Sequence, residues 1–84
     1  MKLFKISQNV NTGYDTYDSA IVCAKNEAEA KAMHPNGNLT YDDYEEGKTQ
    51  YGTWCKKEFV NVKYIGEAKE GLAKGIICAS FNAG

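Results

Sequence analysis

Arginine is absent from this sequence. All ten basic residues are lysines, and eleven acidic residues leave a formal net charge of −1. Arginine is the side chain best suited to forked contacts with phosphate and with guanine. Its absence, together with the near-neutral charge, disfavours specific nucleic-acid binding, although lysine can still neutralise phosphate.

Long apolar runs and closely spaced cysteines are also lacking. No apolar run approaches the roughly 18 residues that span a bilayer, and Lys5 and Asn9 interrupt any signal-peptide core. Cys23, Cys55 and Cys78 are an odd number of thiols, far apart in sequence. This spacing disfavours both a disulfide framework and a structural zinc site. We therefore expect a cytoplasmic protein with no membrane partner and no metal.

Motifs for cofactor binding and catalysis are missing as well. Glycine-rich phosphate loops of the GxGxxG or GxxxxGK kind do not occur. The single histidine, His34, stands before the single proline, and its activation of Cys55 would be a weak catalytic motif. The adjacent acids within residues 42–46 fit a solvated loop. We therefore expect no cofactor, no catalytic residue and no enzymatic activity.

Short strands around one helix are the pattern that is present. The length of 84 residues fits a single domain over residues 1–84. We expect an α+β fold, a small two-layer domain in which a mostly antiparallel sheet of about four to five strands carries one main helix on one face. Residues 38–54 would add an extra hairpin. The hydrophobic pattern predicts the other strands over 2–8, 17–24, 59–65 and 76–81.

Two of these strands are expected in the interior of the sheet. The segments AIVCA at 20–24 and GIICA at 75–79 are nearly continuous apolar runs. Such runs are typical of strands that are covered on both faces. Cys23 and Cys78 lie in these runs, so we expect both to be buried thiols that behave as small hydrophobic side chains.

The predicted helix over 26–33 has signals at both ends. Asn26 is a good N-cap, and Glu29 three residues later completes an arrangement like a capping box. Ala28 and Ala32, extended by Met33, would form a narrow apolar stripe that lets the helix sit close to the sheet. The proline that follows should end the helix.

Two stretches rich in tyrosine and acid are the candidate binding surface. They are the loop 14–18 and the acidic segment 41–54. Tyrosine and tryptophan give large contact areas at low entropic cost and are enriched at interfaces. The competing interpretation is that these aromatic residues only cover a small hydrophobic core, and this interpretation is favoured for Trp54. The candidate binding residues are Tyr14, Asp15, Tyr17, Asp18, Tyr41, Asp42, Asp43, Tyr44, Glu45, Tyr51 and Trp54.

Two long strings near the ends of the chain carry a resemblance. They are MKLFKISQNVNTGYDTYDSAIVCAKNEAEAKAMHP and VKYIGEAKEGLAKGIICASFNAG. Both strings resemble a group of small uncharacterised proteins encoded by bacteriophages and prophages, whereas residues 36–58 do not match. The resemblance implies a phage or mobile-element origin and transfers no catalytic residue. It also implies binding as the mode of action, because small phage proteins without enzymatic motifs often block defence proteins or sequester their signals.

Three functional hypotheses follow. The first is a non-catalytic, phage-type binding protein that inhibits a host or bacterial-defence protein through its acidic, tyrosine-rich surface. The second is a sequestering protein, or sponge, for a small nucleotide signal of a defence system. In it, aromatic rings would stack on bases and lysines would hold phosphates at the interface of a homo-oligomer. The third, disfavoured, is an enzyme that uses Cys55 or the carboxylates.

Overall fold

A four-stranded antiparallel sheet and one short helix form the part of the chain that the structure describes. The structure is a computed structural model, and it describes residues 1–10, 16–37, 54–55 and 57–82. In chain order the elements are β1 (Lys2–Ser7), β2 (Thr16–Ala24), α1 (Glu27–Lys31), a 3-10 turn (Lys57–Phe59), β3 (Asn61–Glu67) and β4 (Gly75–Asn82). The strand order in the sheet is β3-β1-β2-β4. No helix within these described ranges is long and apolar enough to cross a membrane.

The mixed α+β composition agrees with the expected fold class at this coarse level. Each observed strand begins and ends within two residues of the strand predicted for it. The largest displacement is in β3, which includes Gly66 and Glu67 because Gly66 pairs with Leu3 instead of ending the strand. The hairpin expected over 38–54 lies, except for Trp54, outside the described residues.

One face of the sheet carries the hydrophobic core. Phe4 and Ile6 of β1 lie opposite Val22 and Ala20 of β2, and all four side chains are buried. Because side chains alternate along a strand, these residues share one face. Helix α1 packs on this face through Ala30, which is fully buried. The other members of the core are Ala24, Trp54, Cys55 and Val60.

The start of helix α1 is capped as the sequence predicts. Asn26 Oδ1 accepts the backbone N–H of Glu29 at 2.9 Å. The Glu29 carboxylate in turn accepts the backbone N–H of Lys25, also at 2.9 Å. The first bond satisfies an N–H group that the first helical turn leaves without an intrahelical partner, and the second ties the residue before the N-cap to the helix.

The predicted apolar stripe of the helix is wrong at Ala28 and Ala32, and only its third member, Met33, packs beside the core. Ala28 and Ala32 are exposed, whereas Ala30 is buried, with Met33 partly buried beside the core. The helix also ends at Lys31, earlier than expected. A helix of five residues makes little more than one turn, so the direction in which β2 delivers the chain decides which residue meets the sheet. Alanine periodicity carries no information on that direction.

Only one of the two expected interior strands is interior. Strand β2 pairs with both β1 and β4, whereas β4 pairs with β2 alone and lies at an edge of the sheet in the described part of the chain. Cys78 is consequently exposed and not buried. Ile77 and Phe81 of β4 are 46% and 45% exposed. The apolar run therefore indicates a strand correctly, but it does not indicate whether that strand lies inside the sheet or at its edge.

The second face of the sheet is covered only in part by the described residues. Cys23 is fully buried there, with its Sγ atom 3.8 Å from Met1 Sδ and 3.9 Å from the Leu72 carbonyl oxygen. Leu72 belongs to the connection between β3 and β4. Further along the same face, Lys5 and Lys63 are exposed. The connection thus covers one end of this face.

Candidate functional site

Tyr17, Asp18 and Trp54 are the candidate binding residues that the structure describes. Tyr17 and Asp18 are part of strand β2, so only the first part of the expected 14–18 loop precedes the sheet. Trp54 is 1% exposed and belongs to the core, so it presents no surface to a partner. The candidate residues outside the described ranges are Tyr14, Asp15, Tyr41, Asp42, Asp43, Tyr44, Glu45 and Tyr51.

Asp18 occupies a β-bulge. Tyr17 pairs with Phe81 of β4, and the next pair in the ladder joins Ser19 to Ser80. Asp18 is therefore the extra residue between two consecutive pairs, and it is exposed. Bulges bend a strand and redirect a side chain, and they are over-represented next to functional sites. Because of the bulge, the Asp18 side chain does not follow the regular alternation of side-chain directions along β2.

Gln8 holds the backbone of this bulge in place. Its Nε2 atom donates to the Tyr17 carbonyl oxygen at 2.9 Å, and its backbone N–H donates to the Asp18 carbonyl oxygen at 3.2 Å. The side-chain oxygen of Gln8 accepts the Val10 N–H at 3.0 Å. Gln8 is only 7% exposed, so these bonds are shielded from competing water. The carbonyl groups around the bulge are thereby fixed.

A row of four rings runs from the bulge into the core. The ring centroids of Phe81 and Tyr17 lie 4.8 Å apart, those of Tyr17 and His34 lie 6.1 Å apart, and those of His34 and Trp54 lie 6.4 Å apart. Phe81 is half-exposed and Tyr17 half-buried, whereas His34 and Trp54 are each 1% exposed. The outer rings are therefore supported from behind by buried ones.

Tyr17, Asp18 and Phe81 together form what we call the bulge surface. The sequence pattern singled out the first two but missed Phe81 and the positioning residue Gln8. The signal for Phe81 was available in principle, since antiparallel pairing of 17–24 with 76–81 brings the start of one strand to the end of the other. Gln8 carries no such signal, because its role depends on the carbonyl groups of Tyr17 and Asp18, which only the pairing of β1 with β2 brings to it.

The environment of Cys55 disfavours its use as a nucleophile. Cys55 is 5% exposed, and burial raises the pKa of its thiol to about 11. The reactive thiolate is then scarce near neutral pH. His34 Nδ1 accepts the backbone N–H of Asn36 at 3.0 Å, so the neutral ring carries its proton on Nε2. Within the described residues, no group of three or more His, Cys, Asp or Glu is placed to hold a metal ion.

A pair of lysines on the second face of the sheet is the other notable feature. Lys5 of β1 lies directly opposite Lys63 of β3, and both are exposed. Like charges directly opposite each other across two strands destabilise a sheet. An anion placed between the two ammonium groups would relieve that repulsion.

The bulge surface combines an exposed carboxylate, a half-buried tyrosine and a half-exposed phenylalanine on a hydrogen-bonded frame. The lysine pair lies on the other side of the sheet and offers positive charge without a ring from the described residues beside it. No model of a protein family matches this chain, and no curated protein and no solved structure is significantly similar to it.

Proposed function

We propose that this chain is a non-catalytic binding protein, a phage-type inhibitor of a host or bacterial-defence protein, which acts in the bacterial cytoplasm. The observation that carries this proposal is the bulge at Asp18. The exposed Asp18 follows Tyr17, whose ring packs on that of Phe81, and partly buried hydrogen bonds from Gln8 hold the backbone here in place. An acid beside anchored rings is suited to protein recognition.

The rings of the bulge surface are suited to anchor a partner. Binding energy at protein interfaces concentrates in a few large side chains that are well packed when bound. Tyr17 already packs against Phe81 and His34, so ordering its ring on binding costs little entropy. The proposed contact surface also includes Tyr14 and Asp15, which precede Tyr17 in the chain, and the tyrosines and acids of residues 41–45.

The partner surface should be basic. Asp18 supplies negative charge, and the other proposed contact residues add acids but no lysine. Complementary charge speeds association and selects the partner, and salt screens it. We therefore expect a complex with a basic protein surface that weakens as ionic strength rises.

The variant Asp18→Lys tests this assignment. It should weaken capture of a specific protein from bacterial lysate at low salt by at least about tenfold, because it places like charges against a basic partner. Its midpoint of thermal unfolding should stay near that of the wild type, since the Asp18 side chain is exposed. Capture is measured by quantitative pull-down followed by titration with the purified partner.

The matched control is Glu70→Lys, which makes the same change in net charge. Glu70 is exposed in the connection between β3 and β4, at the opposite end of the sheet from the bulge. The Glu70→Lys variant should still capture the partner protein in the pull-down. Failure to recover any protein at low salt, or equal loss in both variants, would refute an inhibitor that acts through the bulge surface.

A nucleotide sponge is the second candidate function, and the lysine pair favours it. Lys5 and Lys63 face each other across two strands, and two adjacent ammonium groups suit a phosphate or phosphodiester. A base would also need an aromatic ring on this side of the sheet, and the described residues supply none there. The sponge therefore ranks below the protein inhibitor.

Thermal shift assays with a panel of cyclic and modified nucleotides test the sponge. Saturation to a hundred times the dissociation constant adds about 2.7 kcal/mol to the free energy of unfolding, so the midpoint should rise by roughly 10 °C or more. The double variant Lys5→Gln/Lys63→Gln should lose the shift, and Lys57→Gln, an exposed lysine elsewhere, should keep it. An unchanged midpoint across the whole panel would eliminate this function.

A further inference from the structure

In the part of the chain that the structure describes, β4 lies at an edge of the sheet but has the composition of an interior strand. Its eight residues, Gly75–Asn82, contain no charged residue and no proline. It hydrogen-bonds to β2 on one side, and no described strand pairs with its other side. Ile77 and Phe81 expose nearly half of their surface. An exposed apolar edge of this kind is a template for pairing with another chain.

The two edges of the sheet differ in the protection they carry. Both edge strands have a bulge, with Ile65 as the extra residue of β3 and Ile77 as the extra residue of β4. Only β3 also carries charge, at Lys63 and Glu67. Charges on an edge strand oppose its pairing with a second strand. Among the described residues, the sheet is therefore protected at β3 and open at β4.

We propose that β4 pairs antiparallel with β4 of a second copy of this chain, which joins two four-stranded sheets into one eight-stranded sheet. Charge favours a second copy as the occupant. A two-fold axis brings each residue of β4 close to residues of the same strand, and a neutral strand meets no like-charge repulsion there. The same operation at β3 would bring Lys63 of each copy together.

The apolar side chains indicate where the two-fold axis passes. Regular antiparallel pairing requires the axis to pass beside a residue, and Ala79 lies next to the middle of β4. An axis at Ala79 brings Ile77, the extra residue of the β4 bulge, near Phe81 of the second copy, so that the two large exposed side chains of the strand cover each other. A β-branched residue opposite an aromatic ring is a favourable cross-strand pair.

The length of the strand sets the strength of the dimer. Eight residues extend roughly 27 Å at about 3.4 Å per residue. Two single strands in contact bury less than the ~800 Å² per partner that is usual for a tight complex. We therefore expect a dimer that dissociates on dilution in the micromolar range. The dimer would cover Phe81 of the bulge surface, but it can be tested separately from the inhibitor function, because the test needs no other protein.

Sedimentation velocity over a dilution series tests the proposal with two matched variants. Ile77→Lys should raise the dissociation constant of the dimer by about tenfold or more, because it places a charge on each copy of the self-pairing strand. Ile65→Lys should leave it unchanged. The two isoleucines are 46% and 47% exposed and both occupy bulges. Circular dichroism should show both variants folded.

Cys78 reports the geometry of the contact. With the axis at Ala79, the two Cys78 residues are diagonal neighbours about 7–8 Å apart, within reach of a short bismaleimide. Cys78 is exposed, whereas Cys23 and Cys55 are buried. Crosslinked dimer should form in the wild type and disappear in Cys78→Ser. A monomer at all concentrations, a dimer insensitive to Ile77→Lys, or a dimer without the crosslink would each overturn the proposal.

Discussion

Replacing Trp54 by alanine should lower the free energy of unfolding by about 3–5 kcal/mol. The Trp54 side chain is 1% exposed, and its ring lies 6.4 Å from that of buried His34. Truncation removes the largest side chain of the core and leaves a cavity that the short surrounding elements cannot close. For a domain of this size the loss is a large part of the total stability.

Urea denaturation followed by circular dichroism measures this loss. Phe59→Ala is the control, because Phe59 is an aromatic residue that is 50% exposed in the 3-10 turn. Its effect should stay within about 0.5 kcal/mol. Trp54 stood among the candidate binding residues on sequence grounds. A stable Trp54→Ala variant that lost only its protein partner would return Trp54 to the binding surface and contradict its place in the core.

Replacing Ala30 by leucine should cost about 1–3 kcal/mol of stability. Ala30 is fully buried where helix α1 meets the sheet. A leucine there has no free volume to occupy, so the helix must move away or the side chain must adopt a strained rotamer. Leucine is nearly as good a helix former as alanine, so intrinsic propensity does not explain such a loss.

Ala28→Leu is the matched control for this prediction. Ala28 lies in the same helix and is exposed, so the larger side chain extends into solvent. Its midpoint of urea denaturation should stay close to that of the wild type. The alanine periodicity of the sequence predicts the reverse order, with Ala28 facing the sheet. A larger loss at Ala28 than at Ala30 would therefore show that the helix is rotated from the orientation seen here.

Local patterns predicted the positions of the elements well and their surroundings less well. The alternation of Phe4 and Ile6 placed β1, and Asn26 with Glu29 placed the helix start, because both signals depend on near neighbours in the chain. The burial of Cys78 was predicted wrongly. An unbroken apolar run is compatible with an interior strand and with an edge strand whose cover comes from another molecule.

In the candidate site, too, the sequence predicts residues correctly but not their surroundings. The sequence pattern identifies Tyr17 and Asp18 as candidate binding residues, but nothing in that pattern predicts a bulge. The bulge arises from the register between β2 and β4, where Tyr17 meets Phe81 and Ser19 meets Ser80. Register is a property of two segments that lie far apart in the chain. Phe81 reaches the site through this pairing, and Gln8 reaches it through the pairing of β1 with β2, so neither could be identified from the local sequence.

The sequence by itself determined the element types, the capped helix start, and the lack of a phosphate-loop motif and of closely spaced cysteines. Periodicity, capping and motif spacing are local properties, so they can be read along the chain. The tertiary structure alone decided that β4 lies at an edge of the described sheet, that Ala30 meets the sheet, and that Asp18 occupies a bulge next to the Tyr17–Phe81 pair. These features depend on strand order, register and helix direction, which are set by long-range packing.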